Sequence, residues 1–367
     1  PARRRPNRRA PRPPGRLAGR RCTPPMAALL GGVLLGTALL ALQGCSEPTS
    51  PAGSNGAINP DDELQILEGS INWSTNSVSW MNENEHGTVP EDRYALISIA
   101  QQADLNGPSH FLYQSSIYQT CLDLTCLPGG QHWVSAEWTI LNLDWSPVGS
   151  RVVFEGRRRV GTTTEPSRVT VMAPDGSTMQ LWENGLMPSF SRSGAQIVFV
   201  APSKQTIRLV NADTGLGGDL VTELASAEYP RLSPGDSLVA FSAQHGAFGR
   251  RIFVVDAREP DFFPRPASDP DDITLPSRDG IGDNFPTWSP SGRHLAYVST
   301  VTRTSPFRDA IFIASLPGAE VDTLEKIYAF EPGQRVTYLR WHPGGRYMLL
   351  IIQNNAYRLV VPERYRQ

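Results

Sequence analysis

One unit recurs along this chain and constrains what it folds into: a large apolar residue, a four-residue turn, then an apolar run. The clearest copy is Trp288-Ser289-Pro290-Ser291-Gly292, leading into Leu295-Ala296-Tyr297-Val298. The others are Trp145-Ser146-Pro147-Val148-Gly149, Phe190-Ser191-Arg192-Ser193-Gly194, Leu232-Ser233-Pro234-Gly235-Asp236 and Trp341-His342-Pro343-Gly344-Gly345. Ser-Pro-x-Gly suits a type I turn, because serine favours the first position, proline presets φ at the second, and glycine favours the fourth. The flanking segments are therefore expected to be antiparallel strands. The run after each turn (Val152-Val153-Phe154, Ile197-Val198-Phe199, Leu238-Val239-Ala240-Phe241) has the β-branched, small and aromatic residues of a buried strand.

The turn positions 146, 191, 233, 289 and 342 are separated by 45, 42, 56 and 53 residues. Each step holds several short strands, which is the size of a propeller blade. Third strands are expected at 168–173, 206–211, 251–256 and 310–315. Asp175-Gly176, Asp213-Thr214-Gly215 and Pro317-Gly318 mark hairpin turns into outer strands. A divergent first blade is read at Val78-Ser79-Trp80 and Tyr94–Ile99, with the loop 82–92 replacing the tight turn. That gives an all-β, six-bladed propeller of four-stranded antiparallel blades over residues 63–367. Thirty-two glycines and thirty-two prolines among 367 residues fit such an architecture. The last unit offers strands near 336–341, 347–352 and 357–361 and no fourth. Residues 63–68, around Leu64-Gln65-Ile66, are expected to supply it and close the ring, removing an exposed edge.

The N-terminal part reads as an address. Residues 1–25 carry nine arginines and no acid, and an apolar stretch runs from Met26 to Leu42. Residues 1–44 are thus expected to be an export signal with a basic leader. Its end, Leu42-Gln43-Gly44-Cys45, resembles the bacterial lipobox. The resemblance implies lipidation of Cys45, cleavage after Gly44 and anchoring in a membrane of the cell envelope. By the sorting rule known for Gram-negative lipoproteins, Ser46 rather than Asp after the cysteine implies the periplasmic face of the outer membrane in a Gram-negative host. Residues 45–62, rich in Ser, Pro, Gly, Asn, Ala and Asp, read as a flexible tether.

The formal charge of −2 conceals an acidic body. Beyond residue 25 there are 25 basic against 36 acidic residues, which gives nucleic acid no electrostatic footprint. Cys121 and Cys126, flanking a short loop, are expected to form a disulfide in an exported protein. The stretch 261–283, with Asp269, Asp271, Asp272, Asp279 and Asp283, is read as a solvated acidic insertion, since its acids follow no calcium-ligand ladder.

The unit Pro-x-Trp-Ser-Pro-x-Gly-x-x-Leu-Ala-Tyr, complete at 286–297, resembles the WD-like propeller repeat of the TolB family and the propeller halves of prolyl-oligopeptidase-type enzymes. The resemblance covers 139–361 well and 63–138 weakly. It implies a fold and a non-catalytic scaffold that binds an envelope protein or peptide at the propeller mouth, as a monomer. TolB's own partner, a peptidoglycan-associated lipoprotein, is not carried over, because this chain bears a lipobox of its own. No hydrolase elbow is present; Gly235-Asp236-Ser237 is the nearest fragment, and it belongs to a repeat turn. No catalytic, cofactor-binding or metal-binding residue is assigned and no cofactor is expected. His86, His110, His132, His245, His294 and His342 are scattered over different units. His294 and His342 read as structural, and Trp145, Trp288 and Trp341 as blade-to-blade packing. The competing reading is a propeller enzyme or carbohydrate-binding protein with a channel-mouth site, such as a metal-dependent lyase.

Overall fold

The repeated turn closes a hairpin in each copy. The carbonyls of Ser191, Ser233, Ser289 and His342 accept hydrogen bonds from the N–H groups of Gly194, Asp236, Gly292 and Gly345, at 2.9–3.0 Å. The hydroxyls of Ser191, Ser233 and Ser289 accept from the N–H groups of Gln196, Leu238 and His294. In the last copy His342 replaces serine, and its Nδ1 accepts from Gly344 N–H at 2.8 Å. The fourth position is left-handed in all four, with φ of 69° at Gly194, 53° at Asp236, 71° at Gly292 and 79° at Gly345. Glycine is required at Gly345, where a Cβ would lie 2.5 Å from the Arg366 carbonyl oxygen. Asp236 takes the same conformation without that freedom. Its carboxylate accepts from the N–H groups of Arg192 and Ser193, at 2.9 and 3.2 Å, tying its turn to the preceding one.

The structure is a computed structural model, which describes residues 64–66, 74–80, 94–102, 113–121, 131–135, 138–146, 151–160, 163–173, 179–245, 249–257, 265–266, 282–301, 305–316 and 323–366. All of these belong to one unit, Ala57–Gln367. Pro147, Gly149, Cys45 and Cys126 lie outside the described residues, as do the side chain of Cys121, the export signal and the tether.

Among the described residues the strands form six consecutive antiparallel meanders. The first comprises Ser74–Trp80, Tyr94–Gln102, Tyr113–Cys121 and Gln131–Ser135. The second comprises Trp138–Trp145, Val152–Val160, Arg168–Met172 and Met179–Asn184. The third comprises Leu186–Phe190, Gln196–Val200, Ile207–Asn211 and Gly217–Thr222. The fourth has Glu228–Leu232, Leu238–Gln244 and Arg250–Asp256. The fifth has Gly282–Trp288, His294–Thr300, Asp309–Ser315 and Thr323–Ala329. The sixth has Val336–Trp341, Tyr347–Ile352 and Asn355–Val360, and its outer strand is Leu64–Ile66 from the other end of the chain. Leu64 pairs with Leu359, Gln65 with Arg358 and Ile66 with Tyr357, as the sequence led us to expect. The first strand of each meander touches the first strand of the next, and that of the sixth touches that of the first, so the first strands close a ring.

The second strands read as unbroken apolar runs because both of their faces are covered. Ile197 and Phe199 pack with Val153, Val169 and Val171 of the second meander. Val198 and Val200, one step out of phase, pack with Val239, Phe241 and Phe253 of the fourth. Trp288 packs between the fourth and fifth meanders and Trp341 between the fifth and sixth, as blade-to-blade packing requires, whereas Trp145 clusters within the core of the second meander.

Among the described residues the fourth meander has three antiparallel strands, and Arg265–Pro266 lies parallel to Val221–Thr222 of the third meander. One expectation needs correction. Asp283, read as part of a solvated loop, sits inside the strand Gly282–Trp288 and is fully buried.

Candidate functional site at the ring centre

The residue just before the large apolar residue of each unit is polar: Asp144, Ser189, Arg231, Thr287 and Arg340. These side chains form one layer inside the ring. Asp144 Oδ2 accepts from the Ser189 hydroxyl at 2.8 Å and from Phe190 N–H at 2.9 Å, so it clasps the next meander. The Thr287 hydroxyl likewise accepts from Trp341 N–H at 2.9 Å. Asp144 Oδ1 pairs with Arg340 Nη2 at 2.7 Å. Arg231 Nη2 donates to the Tyr338 hydroxyl at 3.0 Å, and that hydroxyl donates to the Leu143 carbonyl at 3.4 Å. Meanders two, four and six are not neighbours in the ring, so these bonds run across its axis. Burial holds the Arg231 guanidinium below its ordinary pKa, with the Arg340 charge adding to the effect. The Arg340 pKa is raised: burial, its largest single influence, acts downward but is outweighed by Asp144 and Tyr338.

One step earlier, the first strands share a bulge. Register shifts between Leu141 and Asp144, Leu186 and Ser189, Glu228 and Arg231, and Asn284 and Thr287. Each bulge holds a non-glycine residue in the left-handed region: Asn142 (φ 48°), Met187 (53°), Tyr229 (53°) and Phe285 (57°). Only asparagine tolerates this readily; each of the others costs about 1 kcal/mol or more. The four half-buried side chains or their backbones link meander to meander. Asn142 Nδ2 and Met187 N–H both donate to Glu155 Oε2, at 3.0 and 3.2 Å. Tyr229 N–H donates to Met187 Sδ at 3.4 Å, and the Tyr229 and Phe285 rings lie 4.3 Å apart. Burial, then Glu228, raises the Tyr229 phenol pKa, so it stays a neutral donor.

A third polar group lies where the fourth and fifth meanders meet. Asp283 is buried; among the described residues its Oδ1 has no hydrogen-bond partner, Oδ2 is 3.5 Å from Arg251 Nη1, and Ser299 hydrogen-bonds to the carboxyl group. Burial raises its pKa from the ordinary 3.8 to about 6. The folded chain therefore holds this proton more tightly than the unfolded chain, and stability falls as pH rises through the 3.8–6 window. A displacement of that size is worth roughly 3 kcal/mol at neutral pH. Asp283→Asn is expected to raise Tm at pH 7 and to flatten the Asp283 part of the Tm-against-pH curve between pH 4 and 6. Parallel curves for variant and wild type would contradict this.

Where the structure describes them, successive repeat turns touch one another: Asp236 on Arg192 and Ser193, and Pro234 beside Gly292. Arg151, at the start of the strand after the first copy, pairs with Asp213 of the third meander at 2.6 Å. His294 Nδ1 is 3.0 Å from the Ser315 hydroxyl, with its ring edge-on to Tyr365. Among the described residues no three His, Cys, Asp or Glu side chains gather as a metal-binding group.

No protein-family model and no curated protein sequence matches the chain. Among solved structures, the protein described as TolB from Agrobacterium tumefaciens superimposes with a TM-score of 0.52 at 16% identity, covering 82% of this chain and 97% of that one. The chain folds as a TolB-like β-propeller. TolB from Acinetobacter baumannii overlaps the propeller with a TM-score of 0.44 at 17% identity, over 68% of this chain and 60% of that one. The β-propeller domain of a Myceliophteria thermophila protein overlaps with 0.48 at 12% identity, over 78% and 83%. In a propeller the first strand of a blade lies next to the central axis, the place that the ring of first strands takes here.

Proposed function

We propose that the protein is an exported, lipid-anchored binding module, a propeller of six blades that takes a protein or peptide segment at one channel mouth without catalysing a reaction. The observation that supports this most is the set of bulged inner strands. Met187, Tyr229 and Phe285 hold a backbone conformation that costs stability, at equivalent places in three blades, where glycine would relieve it. Strain kept at a channel wall and dressed with thioether and aromatic groups suits the recognition of a chain segment. Loops of several blades converge at a propeller mouth, which is where such a segment would enter. Export and anchoring are supported by the basic leader, the apolar stretch and Leu42-Gln43-Gly44-Cys45; several acyl chains hold a protein on a membrane. Ser46 favours the periplasmic face of the outer membrane in a Gram-negative host.

One experiment tests both halves. The full chain is expressed in a Gram-negative host with a photo-crosslinking residue at Phe285 or, in a repeat turn, at Arg192. We expect a discrete protein adduct from position 285, lost when Tyr229→Ala is added, and none from position 192. Equal adducts at both positions, or none at 285, would remove the binding reading. In the same cells Cys45→Ser is expected to abolish fatty-acid labelling and release the protein from membranes. Unchanged retention would remove the anchor.

A further inference from the structure

At the ring centre two guanidinium groups meet one carboxylate. Asp144 is engaged on both oxygens, by Arg340 on Oδ1 and by Ser189 and Phe190 on Oδ2. Arg231 is left with the Tyr338 hydroxyl on Nη2 and the Tyr338 ring, 5.8 Å from its Cζ. Its Nε and Nη1 are buried and have no hydrogen-bond partner among the described residues, in a residue only 5% exposed. A guanidinium is a fork of N–H donors that stays charged, and burying it with donors unmet is among the costliest arrangements in a protein interior. Native structures seldom leave such a group unmet, and an ion that the protein itself does not supply is one of the few ways to complete it. Arg340 retains 17% exposure of its side chain, so the cluster lies one residue below solvent.

The geometry points to an anion site at the centre of the channel, in which Arg231, backed by Arg340, takes a carboxylate that the described residues do not supply. Guanidinium and carboxylate form a short, charge-assisted pair, and the second arginine supplies the net positive charge that draws an anion in. The hydroxyl of Tyr338 already orients Arg231, so the donors are held in place before the ligand arrives. The chemistry recognised is a carboxylate, whether on a chain segment or on a free small acid, and the arms of the test separate the two. The site requires only the propeller fold, so it stands apart from the crosslinking result at Phe285.

The test is thermal unfolding of the purified full chain at constant ionic strength, titrated with sodium acetate, with a short peptide bearing a free C-terminal carboxylate, and with the same peptide amidated; sodium chloride is the reference. A saturable Tm rise of a few degrees is expected with a carboxylate ligand over chloride. A rise with acetate identifies a free acid as sufficient. A rise with the free peptide and not with acetate or the amide identifies a chain terminus. Arg231→Met is expected to raise Tm without ligand, because an unpaired buried charge is replaced by an apolar chain of similar size, and to abolish the response. Arg231→Lys keeps the charge but not the planar fork, and is expected to weaken the apparent affinity about tenfold or more. No response from any carboxylate, a response undiminished in both variants, or a Tm lowered by Arg231→Met would each overturn the assignment.

Discussion

Asp144→Asn is expected to lower the unfolding free energy by about 3–5 kcal/mol, the usual cost of removing one partner from a buried ion pair. The carboxylate is fully buried and pairs with the Arg340 guanidinium at 2.7 Å. It also accepts from Phe190 N–H, so it joins the second blade to the third. Asparagine keeps the shape and loses the charge, leaving Arg231 and Arg340 to repel each other in a medium that screens little. Urea unfolding of the single variant and of Asp144→Asn with Arg340→Met gives the check, since removing the second charge should recover a large part of the loss. A single variant within about 1 kcal/mol of wild type would show that the axial pair contributes little.

Deleting residues 63–68 is expected to cost on the order of 3 kcal/mol and to make the protein self-associate. The strand Leu64–Ile66 completes the sixth blade, and half-buried Leu64 packs against a core that includes Leu359, Val361 and Trp341. Burial of half a leucine side chain accounts for about 1–1.5 kcal/mol, and the ladder bonds to 357–359 contribute the rest at about 1 kcal/mol each. Without that strand, Asn355–Val360 becomes an open sheet edge of the kind that templates aggregation. Leu64→Ala should fall between wild type and deletion. The measurements are the urea midpoint and light scattering at several concentrations; an unchanged midpoint with no added scattering would show that the closing strand is dispensable.

Most of the architecture was legible because it rests on local rules. Ser-Pro-x-Gly announces its turn, and the apolar run behind it announces a strand covered on both sides. The closing strand was legible by subtraction, since the last unit lacked an edge and Leu64-Gln65-Ile66 lacked a partner. The axial cluster was signalled more faintly. A polar residue precedes the large apolar one in every unit, and alternation along a strand places those residues on one side, but which of them meet depends on ring geometry. Nothing local says that Arg340 reaches Asp144, 196 positions earlier in the chain. The bulges were hidden for a different reason: Met187, Tyr229 and Phe285 are poor left-handed residues, so propensity argues against the conformation they hold. Asp283 was misplaced because it follows a run of aspartates and prolines, while its environment is set by Ser299 and Arg251 on neighbouring strands.

The clasp between two strands so distant in the chain also sets a schedule. A polypeptide emerging from its N-terminus presents Leu64–Ile66 early and Asn355–Val360 only later, Asn355 coming 291 positions after Leu64. Until that second strand emerges the latch has no catch, so a nascent chain carries the first five meanders unfastened.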